Sequence, residues 1–174
     1  MARTSVSITA SCRCGKVEFN LKGPPIVRVA CYCASCQAAG HAFVREFGPP
    51  PVVADDGGTD LVLYRKDRVA QISGGDWFRE RRLKPDSPTR RMAATCCGTP
   101  MLMDFTKGHW LSFYRARLPE DGPALDMRVM TQEKPAGVTL PDDVPLYATR
   151  SARFMWKLLT AWGGMGFRRP RAPW

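Results

Sequence analysis

Seven cysteines carry the most distinctive chemistry in this sequence, and three of them fall within residues 31–36. Cys12 and Cys14 precede this hexapeptide, and Cys96 and Cys97 follow it far downstream. Zn²⁺ prefers about four soft ligands in a tetrahedron, roughly 2.3 Å from each sulfur. The clustering therefore predicts that these thiols hold zinc, with one or two ions per chain.

The spacing inside the hexapeptide also predicts its shape. In a flat strand, Cys31 and Cys33 would lie on one face with Cα atoms roughly 6.5 Å apart. Thiolates that share a tetrahedral zinc lie closer, at roughly 3.8 Å. The chain must therefore curl at Tyr32, and the two-residue spacer between Cys33 and Cys36 predicts a turn or the first turn of a helix.

Disulfides and buried inert thiols are the alternatives to a metal. Cysteines this close in sequence pair poorly, and the total of seven is odd. Residues 1–8 contain no apolar run long enough for a secretory signal. We therefore expect a reducing, cytoplasmic compartment, in which such a cluster indicates metal or redox chemistry. Inert thiols would explain one or two cysteines, but not a cluster.

Size and composition limit what must position these thiols. A chain of 174 residues with 44% hydrophobic content can build one core. Fifteen glycines and fifteen prolines favour turns and short elements over long helices. No segment has the roughly 18 continuous apolar residues of a membrane span. The net charge of +10 favours an anionic partner or substrate, although charge alone does not define chemistry.

The pattern along the first half of the chain predicts short strands that run into the cysteines. Alternating polar and apolar residues predict strands at about 4–9, 16–21 and 26–30. After Cys36, a short helical turn is expected to close at Gly40, and residues 42–47 then resume an extended pattern.

The second half continues this mostly β pattern. Residues 61–64 and 69–72 predict a hairpin, and residues 73–89 look irregular and basic. Further strands are expected from residue 90 to 95, from 100 to 105 and from 110 to 114. Phe154, Met155, Leu158, Leu159 and Trp162 then form one stripe of a helix at about 151–162. We expect a zinc-binding β domain over residues 1–150, with this helix and the basic tail to residue 174 packed on it.

These motifs together resemble a known family, that of the glutathione-dependent formaldehyde-activating enzyme and centromere protein V. The similarity ends near residue 115. The matching pieces are Cys12-Arg13-Cys14-Gly15, Cys31-Tyr32-Cys33-Ala34-Ser35-Cys36 with Gly40 and Phe43, and Cys97-Gly98-Thr99-Pro100. The resemblance implies a β-tent fold with two zinc sites. It also implies addition of a thiol to an aldehyde, which is carbon–sulfur lyase chemistry in reverse.

The resemblance also implies roles for individual cysteines. Cys12, Cys14 and Cys97 match a structural zinc site, and the trio in residues 31–36 matches a second site that the family associates with catalysis. The family's last motif is Cys-x-x-Cys-Gly, but Ala94 stands where its first cysteine belongs, and an extra thiol appears at Cys96. Neighbouring strand residues point to opposite faces, so Cys96 cannot replace the residue at position 94 without a local bulge. Three outcomes stay open: Cys96 swings in, water or another residue fills the gap, or the first zinc is lost. We expect the first, with Cys96 assisting Cys12, Cys14 and Cys97.

The trio of Cys31, Cys33 and Cys36 then suggests a mechanism. Three protein ligands leave one coordination position open, as in catalytic zinc sites. Zinc there can hold a small thiol such as glutathione as a thiolate that adds to an aldehyde such as formaldehyde. Basic residues at 79–82 and 84 are candidates to steer an anionic thiol. His41 is the candidate catalytic or fourth-ligand histidine, with a surface position as the alternative.

Two non-catalytic functions compete with this hypothesis. Aromatic and basic residues alternate around Trp77, which is how single-stranded nucleic acid is held, so a zinc-stabilised module for an anionic nucleic acid or protein is one alternative. A solvated loop with a buried Trp77 is the simpler explanation of the same segment. A purely structural or metal-buffering protein is the other alternative. Two four-cysteine sites would need eight thiols, so at least one site must recruit another ligand.

Overall fold

The computed structural model describes residues 7–48 and 50–174, and within them the chain is mostly β, as the sequence predicts. The first expected strand starts at Ser7, and residues 4–6 lie outside the described part. The helices and strands, in chain order, are β1 (Ser7–Ser11), β2 (Glu18–Lys22), β3 (Val27–Cys31), α1 (Ala34–Phe47), β4 (Thr59–Arg65), β5 (Val69–Ser73), β6 (Phe78–Arg81), β7 (Thr89–Ala94), β8 (Thr99–Phe105), β9 (Trp110–Tyr114), β10 (Met127–Val129) and α2 (Ala152–Gly163).

The strands form two sheets. The small sheet has the order β1-β2-β5, and the large sheet has the order β10-β3-β4-β9-β8-β7-β6. The ladders are antiparallel except for β10, which runs parallel to β3 and pairs Val129 with Cys31. Strand β10 thus lies against the segment that delivers the cysteine trio.

The large sheet is buried on both faces. In β4, Val62 and Tyr64 belong to an apolar cluster shared with the small sheet, whereas Leu61 and Leu63 belong to a second cluster shared with α1 and α2. Because alternate residues of a strand face opposite ways, a strand buried on both sides is a continuous apolar run. The molecule therefore has three layers: the small sheet, the large sheet and the two helices.

The expected hairpin over residues 61–72 is wrong, because its two strands belong to different sheets. A 3₁₀ turn, Lys66–Arg68, joins β4 in the large sheet to β5 in the small one. Inside this turn, the ammonium of Lys66 lies 2.8 Å from a carboxylate oxygen of Asp104, and both side chains are buried. This ion pair fixes the point at which the chain passes between the sheets.

The segment after the cysteine trio is also more helical than expected. Helix α1 continues through Gly40 to Phe47, so neither the C-cap at Gly40 nor the extended segment over residues 42–47 occurs. A Cβ on Gly40 would lie 2.2 Å from Cγ2 of Val53, so this glycine permits the close approach of the following loop. The reason for the glycine is tertiary packing, which a local pattern does not reveal.

The remaining differences concern the edges and the C-terminus. Part of the segment 73–89 forms edge strand β6, and β10 was not expected. The predicted terminal helix is present, with the Ser151 hydroxyl accepting a hydrogen bond from the Phe154 amide at 3.0 Å. Phe154 and Leu158 join the core, but Met155 and Leu159 of the same predicted stripe are about half exposed. No helix in the described ranges is long and apolar enough to cross a membrane.

Candidate metal centre

The trio of Cys31, Cys33 and Cys36 comes together where β3 ends and α1 begins. Their sulfur atoms all lie within 4.8 Å of one another. Cys33 is extended (φ −64°, ψ 147°) and precedes the helix, and its carbonyl accepts a hydrogen bond from the Cys36 amide at 3.0 Å. The intervening Tyr32 is buried and donates its hydroxyl proton to Asp56 at 2.8 Å. The chain therefore curls between Cys31 and Cys33, and the helix's first turn supplies Cys36.

The three thiols strongly perturb one another. Hydrogen bonds from the thiols of Cys31 and Cys36 hold the pKa of Cys33 far below its usual range. The hydrogen bond to Cys33 raises the pKa of Cys31 to about 12, and the neighbouring thiols with burial raise that of Cys36 as well. Without a cation, one thiolate is therefore solvated by two thiols. A cation at the centre would replace these protons, as metal binding to cysteines does.

A second cluster joins two distant parts of the chain, and its four sulfurs also lie within 4.8 Å of one another. Cys12 and Cys14 follow β1, and their sulfurs are 3.6 Å apart. The sulfur of Cys96 lies 3.8 Å from that of Cys12 and 3.4 Å from that of Cys14. Cys97 completes the group, with its sulfur 3.9 Å from that of Cys96.

The geometry around Ala94 explains how Cys96 reaches this cluster. Strand β7 ends at Ala94, which is fully buried in the apolar core. Residues 95–98 form a turn in which Gly98 has a φ of +62°, so the alternation of a strand does not apply to Cys96 and Cys97. Both side chains can therefore point to the same side, which brings the sulfur of Cys96 into the cluster although Ala94 offers no ligand.

The thiol of Cys97, in this second cluster, has a lowered pKa. Burial opposes ionisation, but hydrogen bonds outweigh it and lower the pKa of Cys97 to about 6. The largest of these contributions comes from the Thr99 hydroxyl, whose oxygen lies 3.0 Å from the Cys97 sulfur. In contrast, burial and the neighbouring thiols raise the pKa of Cys96.

Both clusters suit a thiolate-binding metal. Sulfurs that share a tetrahedral zinc lie roughly 3.8 Å apart, and the four sulfur–sulfur distances given above for the four-cysteine cluster range from 3.4 to 3.9 Å, with all pairs within 4.8 Å. Soft thiolate sets favour zinc over magnesium, calcium or manganese. The four-cysteine cluster could close its coordination shell with protein ligands, whereas the trio offers three ligands and leaves room for a fourth.

A cavity of about 310 Å³ opens beside the trio. Most of its walls are apolar side chains from the large sheet and from α2, including Leu63, Phe154 and Leu158. Met130 also lines the cavity and has a φ of +60°, a backbone conformation that L-residues rarely adopt. Such outliers concentrate at functional sites.

Two arginines, Arg91 and Arg150, are the cations of this cavity, and sequence reasoning missed both. Arg150 is exposed, but Arg91 is only 3% exposed. Arg91 lies on β7 two residues before buried Ala93, and the two therefore share a face of the strand. That period-two relationship is the sequence signal that could have identified a buried cation.

The other predicted polar residues lie elsewhere. His41 is exposed on α1 and lines a different cavity of about 530 Å³, so the structure does not bring it to the trio. Arg81, from the segment thought to steer a thiol, forms an ion pair with Glu46 at 2.6 Å. Trp77 is 47% exposed, so its expected burial is wrong.

His109 is buried and stacks on Trp162, with ring centres 5.7 Å apart.

Comparison with known proteins finds one family model that matches part of this sequence. Residues 7–49, which include the first two cysteine motifs, match the sequence model of the glutathione-dependent formaldehyde-activating enzyme. No curated protein matches the sequence. A crystal structure of a Rhodobacter sphaeroides protein is similar at 14% identity and a TM-score of 0.43, covering 79% of this chain and 98% of that chain. The family match covers about a quarter of the chain and ends before Cys96 and Cys97.

Proposed function

We propose, from the match of residues 7–49 to the model of the glutathione-dependent formaldehyde-activating enzyme, that this chain adds a small thiol to an aldehyde in a zinc-dependent reaction. The observation that carries this proposal is the convergence of the sulfurs of Cys31, Cys33 and Cys36 at one end of a cavity of about 310 Å³. We assign the four-cysteine cluster a structural role, because four protein sulfurs can close the coordination shell of one zinc ion.

In this proposal each cluster would hold one zinc ion. Cys12, Cys14, Cys96 and Cys97 would form a closed site that ties β1 to the turn after β7. The trio would leave one position for a substrate sulfur, and zinc there supplies the charge that keeps a thiol deprotonated. Residues 1–150 would then form the zinc-binding domain, with residues 151–174 as an added element that closes the cavity.

The reaction balances without an oxidant or a reductant. A lone pair of the thiolate sulfur forms a bond to the carbonyl carbon, and the π electrons of the C=O bond move to oxygen. The oxygen then takes the proton that the thiol released, which gives a hemithioacetal. The reverse reaction breaks the same carbon–sulfur bond.

The chain's own residues contribute position and environment. The rigid junction of β3 and α1 orients the three sulfurs, and the N-terminus of the 14-residue helix adds a partial positive charge beside Cys33. The apolar side chains of α2 exclude water from the cavity, which strengthens the electrostatic interactions inside it. Arg91 and Arg150 offset the negative charge of three thiolates and favour an anionic substrate.

The test combines metal analysis with a search for product. Purified protein should catalyse adduct formation between ¹³C-formaldehyde and a panel of thiols, followed by NMR against the uncatalysed rate. Cys33→Ser should lose one zinc ion per chain and the rate enhancement, because it removes one of three ligands. Ala38→Ser, a change at an exposed position of α1 outside the cavity that keeps all three sulfurs, should retain both. Unaltered zinc content in Cys33→Ser, or no adduct with any pair, would contradict the proposal.

Binding of an anionic polymer is the second candidate, and one observation favours it. Exposed Trp77 stands at the start of edge strand β6, and the ammonium of Lys16 lies 5.5 Å from the centre of its ring. An exposed ring with cations beside it is a stacking platform for single-stranded nucleic acid. Affinity for an oligonucleotide should then fall steeply with salt and with Trp77→Ala. Affinity that salt leaves unchanged would exclude this function.

A further inference from the structure

The side chain of Arg91 is a buried cation without a carboxylate partner. It is 3% exposed, and none of the ion pairs in the described part of the chain includes it. One guanidinium nitrogen, Nη2, donates a hydrogen bond to the carbonyl of Ser35 at 3.2 Å. Its Nε is buried and has no hydrogen-bond partner among residues 7–48 and 50–174.

Such an arrangement is costly in the absence of a ligand. A buried charge without a partner loses several kcal/mol of hydration free energy, on the order of the desolvation penalty for a single ion. The guanidinium also offers a planar fork of donors that matches a carboxylate. Its bond to Ser35 holds it next to Cys36 in the cysteine trio. The nearby thiolates offset part of its charge, but they do not satisfy Nε.

The rest of the cavity is mostly apolar, although Arg150 and three hydroxyl side chains also line it. No Asp or Glu is among its lining residues, and most of its surface comes from aliphatic, aromatic and methionine side chains. Its volume of about 310 Å³ is roughly ten times the 30 Å³ that a water molecule occupies in the liquid. Formaldehyde, with two heavy atoms, would fill little of it. A peptide thiol such as glutathione would place several amide and carboxylate groups against walls that offer few polar partners.

We propose that the thiol substrate of this site is a compact, apolar thiol carboxylate, whose carboxylate binds Arg91. Its hydrocarbon or aromatic body occupies the space between the large sheet and α2, against Leu63, Phe154 and Leu158. Its sulfur then lies at the cysteine trio, where the aldehyde approaches. This inference rests on the proposed function, because it names the substrate class of the same site.

The test uses unreactive probes, so that binding is measured apart from chemistry. Isothermal titration calorimetry compares 4-methylbenzoate with 4-methylbenzamide, which has the same shape and no charge, on the full chain with its metal content unchanged. The carboxylate should bind at least tenfold more tightly than the amide. Arg91→Gln should reduce this preference to within twofold. Arg153→Gln, which removes the same charge from an exposed position of α2 outside the cavity, should leave it unchanged.

Two results would overturn the inference: equal affinity of the wild-type chain for both probes, or a preference that Arg91→Gln leaves intact. The wild-type comparison needs no variant, so it decides the matter even where Arg91→Gln does not fold. The same experiments distinguish a failure of this inference from a failure of the proposed function. If the benzoate binds through Arg91 but no thiol adds to any aldehyde, the reaction is wrong and the ligand class stands. If formaldehyde adducts form while the benzoate does not bind, the ligand class is wrong and the reaction stands.

Discussion

The sulfurs of Cys14 and Cys96 lie 3.4 Å apart, although 82 residues separate them in the sequence. The contact joins the loop after β1, in the small sheet, to the turn after β7, in the large sheet. Cys96 therefore lies in the same cluster as Cys12, Cys14 and Cys97. The two sheets are connected here by side chains rather than by backbone hydrogen bonds.

Substitution of Cys96 by serine tests this role. Cys96→Ser should lower the zinc content by about one ion per chain, because a closed site needs about four good ligands. Thermal unfolding should also shift to lower temperature, since a structural metal contributes to folding. Metal analysis and calorimetry measure the two effects. Thr95→Ser in the same turn is the control and should change neither, and an unaltered zinc content in Cys96→Ser would exclude Cys96 as a ligand.

The buried ion pair between Lys66 and Asp104 predicts a large loss of stability on substitution. Asp104 is fully buried and also forms an ion pair with Arg90. Asp104→Asn should lower the free energy of unfolding by about 3–5 kcal/mol, because it leaves a buried ammonium without its counter-charge. Urea unfolding measures the change.

Asp67 provides the matched control, since it pairs with Arg65 at 2.5 Å but is exposed. Asp67→Asn should cost less than about 1 kcal/mol, as surface ion pairs do. Similar losses for the two variants would mean that burial does not govern the Lys66 pair.

At Gly40 in α1, we expect alanine to be less stable than glycine, which is the reverse of the usual preference in a helix. Alanine usually stabilises a helix interior by about 1 kcal/mol over glycine. Here the added Cβ meets Val53 at 2.2 Å, so Gly40→Ala should instead destabilise the protein by about 1–3 kcal/mol through overpacking. In Gly163→Ala, at the end of α2, the nearest atom lies at 3.8 Å, and we expect no loss. Urea unfolding of both variants checks this contrast, and a stabilised Gly40→Ala would show that the loop moves aside.

The sequence predicted those features that depend on neighbours along the chain. The spacing from Cys31 to Cys36 defined the curl and the helical turn, and period-two patterns located most strands. The features it missed depend on distant residues. Gly40 looks like a helix end until Val53 is seen against it, and β4 and β5 look like a hairpin until Lys66 is seen paired with Asp104.

In the candidate site, too, the sequence predicted what depends on neighbouring residues and missed what depends on distant ones. Its cysteines were identified by type and spacing, whereas its buried cation, Arg91, is surrounded by residues from other elements. Cys96 lies with Cys12, Cys14 and Cys97, as the favoured expectation has it, but the sequence did not predict how it gets there, because strand alternation assumed that β7 continues past Ala94. A turn begins there instead, and turns do not follow strand alternation. His41 is close to Cys36 in sequence but lines another cavity, so proximity along a helix did not predict proximity in space.

The separation of the two clusters along the chain has a consequence for biosynthesis. All ligands of the trio emerge from the ribosome within six residues, so they can be gathered before any sheet exists. The other cluster requires a loop of more than eighty residues to close, which costs about 2–3 kcal/mol more in chain entropy than the short loop. A nascent chain that stops before residue 96 would therefore contain all three cysteines of the trio but only Cys12 and Cys14 of the four-cysteine cluster. If both clusters bind metal, the trio should therefore be able to bind it earlier in translation than the four-cysteine cluster.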